Sequence, residues 1–351
     1  MNAMLTVLLF SLLSLLFGRD EAEIVFAGDA MMHQGQIDAA RQADGSYDFS
    51  EYFRTVSPYI ISADYAVVNL ETPVAGPRYS GYPCFNAPAS YLDALSAAGF
   101  DLFLTANNHT LDRGDRGLCA TIDSLNARGL DHIGTYRSPA DRKQALPMVK
   151  VINNIRVGFL NYTYGTNGIS PRGEVVVDYI DRELMKRDVD ALRADSAEII
   201  FACVHWGEEY QLLQHPSQSS LADYLHSLGV ECVIGGHPHV VQPLHLKDNR
   251  LTVYSLGNFI SNMKTTDTRG GAMLRVTISR RDDGSISVDQ ATYRLVYTVP
   301  AGNGHNFHLV WPDAANDARA AAFARSARTV FSKHNTNVAE DVPLLLRIFR
   351  Q

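Results

Sequence analysis

Thiols are scarce in this 351-residue chain: four cysteines, Cys84, Cys119, Cys203 and Cys232, with no paired C-x-x-C spacing. That excludes a zinc ribbon and a thioredoxin-like redox site. Cys203 and Cys232 lie in apolar runs and read as small core residues, while a bridge between Cys84 and Cys119 is left open. Basic charge is also short, with 31 Lys plus Arg against 38 Asp plus Glu, a net charge of −7, and no long basic run. Nucleic acid is therefore not the expected partner. There is no G-x-S-x-G elbow, no phosphate-binding P-loop and no dinucleotide fingerprint, which removes the usual nucleophilic hydrolases and nucleotide-binding folds.

Long apolar stretches are missing too, apart from Leu5 to Phe17. That run is short for a bilayer span, which needs about 20 residues. It fits the apolar segment of a secretory signal. Residues 1–20 are thus expected to be a signal peptide or N-terminal membrane anchor, placing the protein outside the cytoplasm.

What the chain has is a repeated theme. Short β-branched apolar runs end abruptly in polar residues: IVFAGD (Ile24 to Asp29), YAVVNLE (Tyr65 to Glu71), DLFLTANNH (Asp101 to His109), IIFACVHWG (Ile199 to Gly207) and ECVIGGHPH (Glu231 to His239). Runs of this kind read as strands buried on both faces. Helical patterns over Ala89 to Ala98, Arg116 to Ala127, Asp181 to Ala194 and Ser217 to Leu228 alternate with them, which is an α/β layer pattern. Beyond them, Leu251 to Ser255, Ala272 to Ser279 and Ser285 to Tyr297 read as antiparallel strands, the last two joined by an Arg-Asp-Asp-Gly turn. The division expected is one domain over 23–300 and a helical C-terminal extension over 301–351, with helices from Asp313 to Lys333 and near Leu344 to Ile348.

The chemistry stands at the ends of those runs: Asp29 with His33, Glu71, Asn108 and His109 with Asp112, His205, and His237 with His239. Ligands of open α/β sheets gather outside the carboxyl ends of the strands, so these side chains should meet at one edge. Mixed carboxylate, amide and imidazole donors suit a pair of divalent transition ions, Mn, Fe or Zn, better than calcium or thiolate zinc. The Gly235-Gly236-His237-Pro238-His239 turn offers two imidazoles to two neighbouring ions. Of the residues after His205, Trp206 and Glu208, with Glu209 and Tyr210, are candidates to line a substrate groove. Asn258 is a further candidate. Arg78, Arg113 and Arg116 are the cations nearest the motifs and could pair with substrate anions. The alternative for Asn107-Asn108-His109 is that it merely caps the helix that follows.

Taken together, Gly28-Asp29, NLE, ANNHTLDRG, HWGEEY, GGHPHVVQP and YSLGNFI resemble the CapA family, the poly-γ-glutamate capsule biosynthesis proteins, over residues 23 to 262. The resemblance implies a relative of the calcineurin-like metallophosphoesterases: a two-sheet sandwich flanked by helices with a dinuclear metal site. It makes Asp29 and His239 ligands of a first ion, with His33 as a further candidate, and Glu71 the bridge. Asn108, His205 and His237 go to the second, and His109, oriented by Asp112, becomes the proton donor. Three functions follow: handling of an anionic polymer beside membrane capsule-synthesis subunits, general phosphoester hydrolysis, or metal-independent polymer binding in assembly.

Overall fold

The structure, a computed structural model, describes residues 20–302 and 304–341. The apolar run Leu5 to Phe17 and the helix expected near Leu344 to Ile348 lie outside them. Among the described residues no helix is long and apolar enough to cross a membrane.

Strands β1 (Glu21–Ala30), β2 (Tyr65–Leu70), β3 (Leu102–Leu104) and β4 (Asp131–Ile133) pair in parallel, with helices Gln34–Ala40, Ser57–Ile61, Ser90–Ala97 and Gly114–Asn126 between them. Next come β5 (Thr135–Tyr136), the hairpin β6 (Met148–Ile152) and β7 (Ile155–Thr163), and β8 (Val176–Val177). Helices Arg182–Ala194 and Pro216–Ser227 precede β9 (Ile199–His205) and β10 (Cys232–Gly236), which β11 (Leu244–Lys247) and β12 (Arg250–Val253) follow. The chain closes with β13 (Asn258–Ile260), β14 (Gly270–Arg280), β15 (Ile286–Val299), β16 (His308–Val310), helix Ala318–His334 and β17 (Ala339–Glu340).

These strands build two large sheets. One runs β16-β15-β14-β1-β2-β3-β4, with β13 added to the end of β1 and β17 to β15; the other runs β11-β12-β10-β9-β7-β6. Alternation along the strands decides how they stack. Ile24 and Phe26 of β1, Val67 of β2, and Ile199, Phe201 and Cys203 of β9 share one buried cluster between the sheets. The residues in between face outward: Val25, Ala66 and Val68 under the helices of the first sheet, Ile200, Ala202 and Val204 under those of the second. The result is the expected α/β sandwich, two sheets face to face and flanked by helices, with every central strand buried on both faces.

Several expectations need adjusting. The β6–β7 hairpin is not among the runs singled out from the sequence; Asn153 and Asn154 turn it with φ of 46° and 65°, the left-handed pair that a two-residue hairpin requires. The C-terminal helix starts at Ala318 rather than Asp313, because Asp317 caps it by accepting from Arg319 N. Its Phe323, Ala327 and Phe331 join the inter-sheet cluster, with Phe331 against Tyr293 at 4.4 Å. All four cysteines are free thiols, Cys84 and Cys119 included.

Phe201 lies at the centre of the sandwich, 0% exposed and stacked on Phe26 at 5.2 Å and Phe159 at 5.8 Å. A Phe201→Ala variant should lose about 3–5 kcal/mol of stability, read as a lowered urea midpoint with an unchanged slope. A loss under about 1 kcal/mol would mean that the sheets do not depend on this contact.

Candidate metal centre

Parallel strands of both sheets end at the same edge of the sandwich, and most of what they place there follows from strand alternation. Asn69 and Glu71 continue the inward face of Val67, His205 that of Phe201 and Cys203, and Asn161 that of Phe159. Asp29 is the exception. Alternation from Ile24 and Phe26 would send it outward with Val25 and Ala27, but the pairing of β1 with β2 shifts between Ala27 and Asp29. This bulge at Gly28 re-aims the carboxylate towards the edge between the sheets. A Cβ at residue 28 would stand 1.9 Å from Gly257 O, so only glycine allows the bulge to close on the strand beside it.

The re-aimed Asp29 and Glu71 are both 0% exposed, joined by Asn69, whose Nδ2 donates to Asp29 Oδ1 (2.8 Å) and Glu71 Oε2 (3.2 Å). Asn107 holds Asn69 in turn, donating to its Oδ1 at 3.2 Å. His239 Nδ1 lies 3.3 Å from Asp29 Oδ2 and 3.0 Å from Asn258 Oδ1, and its Nε2 is 3.7 Å from Glu71 Oε1. His205 Nε2 lies 3.0 Å from Asn108 Oδ1 and 3.8 Å from Glu71 Oε1. The ring of His237 sits 4.8 Å from that of His205. His237 and His239 both take positive φ, 98° and 58°, an uncommon backbone for side chains other than glycine. Such strain persists only where surrounding structure enforces it, and here it aims two imidazoles into one cage.

Electrostatics follow from the burial. Burial, reinforced by the Asp29 charge, pushes the Glu71 pKa well above the carboxylate range. For Asp29 burial acts the same way but is outweighed by the hydrogen bonds from His239 and Asn69 and by the neighbouring imidazoles, which hold it low. Burial, then neighbouring imidazoles, lowers His205 strongly and His237 to about 4, so both rings are neutral at pH 7. Neutral imidazole and carboxylate are the ligating forms.

The donors form two sets whose ligand atoms lie within 4.8 Å of one another: Asp29, Glu71 and His205, and Glu209, His237 and His239. Glu71 Oε1 and His237 Nδ1 are buried with no hydrogen-bond partner. An orphaned buried polar atom of this kind costs about 1–3 kcal/mol, so two in one cage fit residues shaped for a cation. His239 falls in the set with His237, yet it also lies 3.3 Å from Asp29, the pairing that the resemblance implies for a first ion. Glu209, anticipated only as a groove or loop charge, stands within ligating reach; its exposed loop position left no pattern by which sequence could separate it from a solvated charge.

The remaining candidates are distributed as follows. His33 caps helix Gln34–Ala40, and its Nδ1 accepts from Asn262 N at 3.2 Å, which puts the ring proton on Nε2; His33 stands outside both donor sets. His109 Nδ1 lies 2.8 Å from Asp112 Oδ2, which also accepts from Phe85 N at 2.7 Å. Neither Asn107 nor Asn108 caps helix Gly114–Asn126, whose cap position is Arg113. Trp206 does not line a groove: it follows His205 on the strand, so alternation turns it outward, where it is 2% exposed with Nε1 donating to Tyr254 O. Glu208 is exposed beside His215. Asn258 is fully buried and acts on His239, with Nδ2 donating to Thr268 O. Tyr164, which sequence reading passed over, is 48% exposed with its ring 4.6 Å from that of His237.

Comparison with known proteins places this geometry in context. The chain is 26% identical over 281 residues to the capsule biosynthesis protein CapA of Bacillus anthracis, covering 77% of this chain and 66% of that one. It therefore spans just under two thirds of that relative's length. It is 25% identical over 278 residues to the PGA biosynthesis protein CapA of Bacillus subtilis, covering 78% of this chain and 72% of that one. Among solved structures it is similar to the NAD nucleotidase of Haemophilus influenzae, with a TM-score of 0.46, 11% identity, and 94% of this chain and 66% of that one covered. The family described as bacterial capsule synthesis protein PGA_cap matches residues 23–263, the stretch that carries every strand-end motif described above. By that match, this chain belongs to the PGA_cap family of bacterial capsule synthesis proteins.

Proposed function

We propose that this CapA-type protein handles an anionic polymer of the poly-γ-glutamate kind at a centre for two divalent cations, Mn, Fe or Zn. The observation that carries the reading is the pair of buried, unpartnered ligand atoms, Glu71 Oε1 and His237 Nδ1, in a cage of carboxylates and neutral imidazoles. Asp29, Glu71 and His205 would hold one ion, and Glu209, His237 and His239 the other. When bound, such ions supply Lewis acidity to a phosphoryl or acyl oxygen and lower the pKa of water. They also invert the local field of a chain carrying −7, letting a polyanion approach.

The chain's own groups do the rest. Asp112, held by Phe85 N, fixes His109 through Nδ1, so that Nε2 is the nitrogen that gives or takes a proton at a leaving group. Asn258 and Asn69 orient His239 and the two carboxylates, as groups behind metal ligands do. The names of the two Bacillus relatives, capsule biosynthesis and PGA biosynthesis protein, support the substrate class. The Leu5 to Phe17 run supports an exported or membrane-anchored location beside membrane capsule-synthesis subunits.

Elemental analysis of the purified full-length chain, after exposure to each ion in turn, tests the centre. About two equivalents of Mn, Fe or Zn are expected, with both lost in a His237→Ala, His239→Ala variant of verified fold, and Glu209→Gln weakening one ion by about tenfold or more. Chelator treatment should lower the melting temperature of the parent but not of the double variant. Absence of metal from the parent under every condition would overturn the reading.

Proton transfer has its own test. Asp112→Asn should retain both ions yet lower turnover of a responsive phosphoester or polyglutamate substrate by about 10²–10⁴-fold. Unchanged turnover would remove His109 and Asp112 from the chemistry.

A further inference from the structure

Outside the cage, the wall formed by Ala75, Pro77, Arg78, Asn86, Arg113 and Arg116 encloses a recess of about 460 Å³. No acidic side chain lines it. Among the described residues, none of the three arginines has a carboxylate partner, although most arginines of this acidic chain that pair at all do so with Asp or Glu. Arg78 and Arg116 are exposed. Arg113 is placed more firmly: it donates to Arg78 O and Ser80 Oγ, and its Nε is buried without a partner. Gly117 makes room for it, since a Cβ there would lie 2.1 Å from Arg113 Cβ. The recess also receives the N-terminal end of the 13-residue helix Gly114–Asn126, whose single first-turn acid, Asp115, is occupied by the backbone N–H groups of Arg172 and Gly173. Three arginines and a helix N-terminus border one open space with no acid among them, and each favours an anion.

The recess and the cage share a wall. Asn86 donates to Gly76 O and Arg78 O, folding segment 76–86 over the recess, while the neighbouring Phe85 N bonds Asp112 and the Phe85 ring lies 4.5 Å from that of His109. Arg113 follows Asp112 directly. A polymer lying across this segment would present one anionic group to the cage and another to the arginines.

We propose that the Arg78, Arg113 and Arg116 recess is an anion subsite that takes a carboxylate of the polymer, at least one repeat away from the group at the metal centre. It rests on the polymer reading above but not on the centre itself. Planar guanidinium groups pair with carboxylate or phosphate through two parallel N–H bonds, so the same recess would accept either anion.

The test uses the full chain loaded with Mn and an Arg78→Ala, Arg116→Ala variant, with Arg113→Lys as a second variant that keeps the charge but loses the planar fork. Fluorescently labelled poly-γ-glutamate and inorganic phosphate are the probes, and metal content is measured beside them. The expected result is polymer binding weakened by about tenfold or more in both variants, with a shallower salt dependence in the double variant and unchanged metal content. Equal polymer affinity in parent and variants would overturn the subsite while leaving the metal centre standing. Phosphate binding that falls in the variants, with no polymer binding by the parent, would overturn the carboxylate assignment and give the recess to a phosphate. Absence of binding of either probe would overturn the subsite outright, and loss of metal from the parent would instead mark failure of the centre.

Discussion

Two carboxylates, Asp29 and Glu71, are wholly buried side by side, and among the described residues neither meets a lysine or arginine. Burying an ionised carboxylate without a partner is expensive, and with Asp29 beside it burial pushes the Glu71 pKa well above the carboxylate range. Around them stand imidazoles that burial keeps neutral, so these rings supply no positive charge to balance the carboxylates. Much of the edge of the sandwich is organised by this constraint. The Gly28 bulge, the left-handed His237 and His239, and the bridging amides of Asn69 and Asn258 bring donors to the carboxylates where a cation would balance them.

The fold supplies this arrangement because its two sheets point their parallel strands at one edge. β1 and β2 deliver the carboxylates from one sheet; β9 and β10 deliver His205 and the two-histidine turn from the other. The aromatic stack of Phe26, Phe201 and Phe159 fixes the sheets against each other beneath the cage. Spacing between the ligand sets is thus a property of the inter-sheet core rather than of any one loop. Exposed Tyr164, Glu209 and Tyr210 then border the opening.

Much of this was legible in the sequence, for a physical reason. A strand buried on both faces must be apolar until it reaches solvent or a site, so an abrupt polar end marks the place where chemistry can sit. That rule identified Asp29, Glu71, His205, His237 and His239 as neighbours before any fold was known. Trp206 shows the same logic left unapplied: one residue after His205 on a strand, it had to face the opposite way. Asp29 shows the reverse, a residue whose direction depends on a bulge that alternation does not reveal. Glu209 was read only as a groove or loop charge and the β6–β7 hairpin was missed, for different reasons. The first is one exposed acid among many, and the second is turned by Asn-Asn between strands without the abrupt polar end.

Anomalous diffraction from crystals of the full-length chain grown with Mn, recorded on both sides of the metal's absorption edge, tests the central claim most directly. The account predicts two anomalous peaks inside the cage, one contacted by Asp29, Glu71 and His205 and the other by Glu209, His237 and His239. Well-ordered carboxylates and imidazoles with no anomalous peak between them would contradict it.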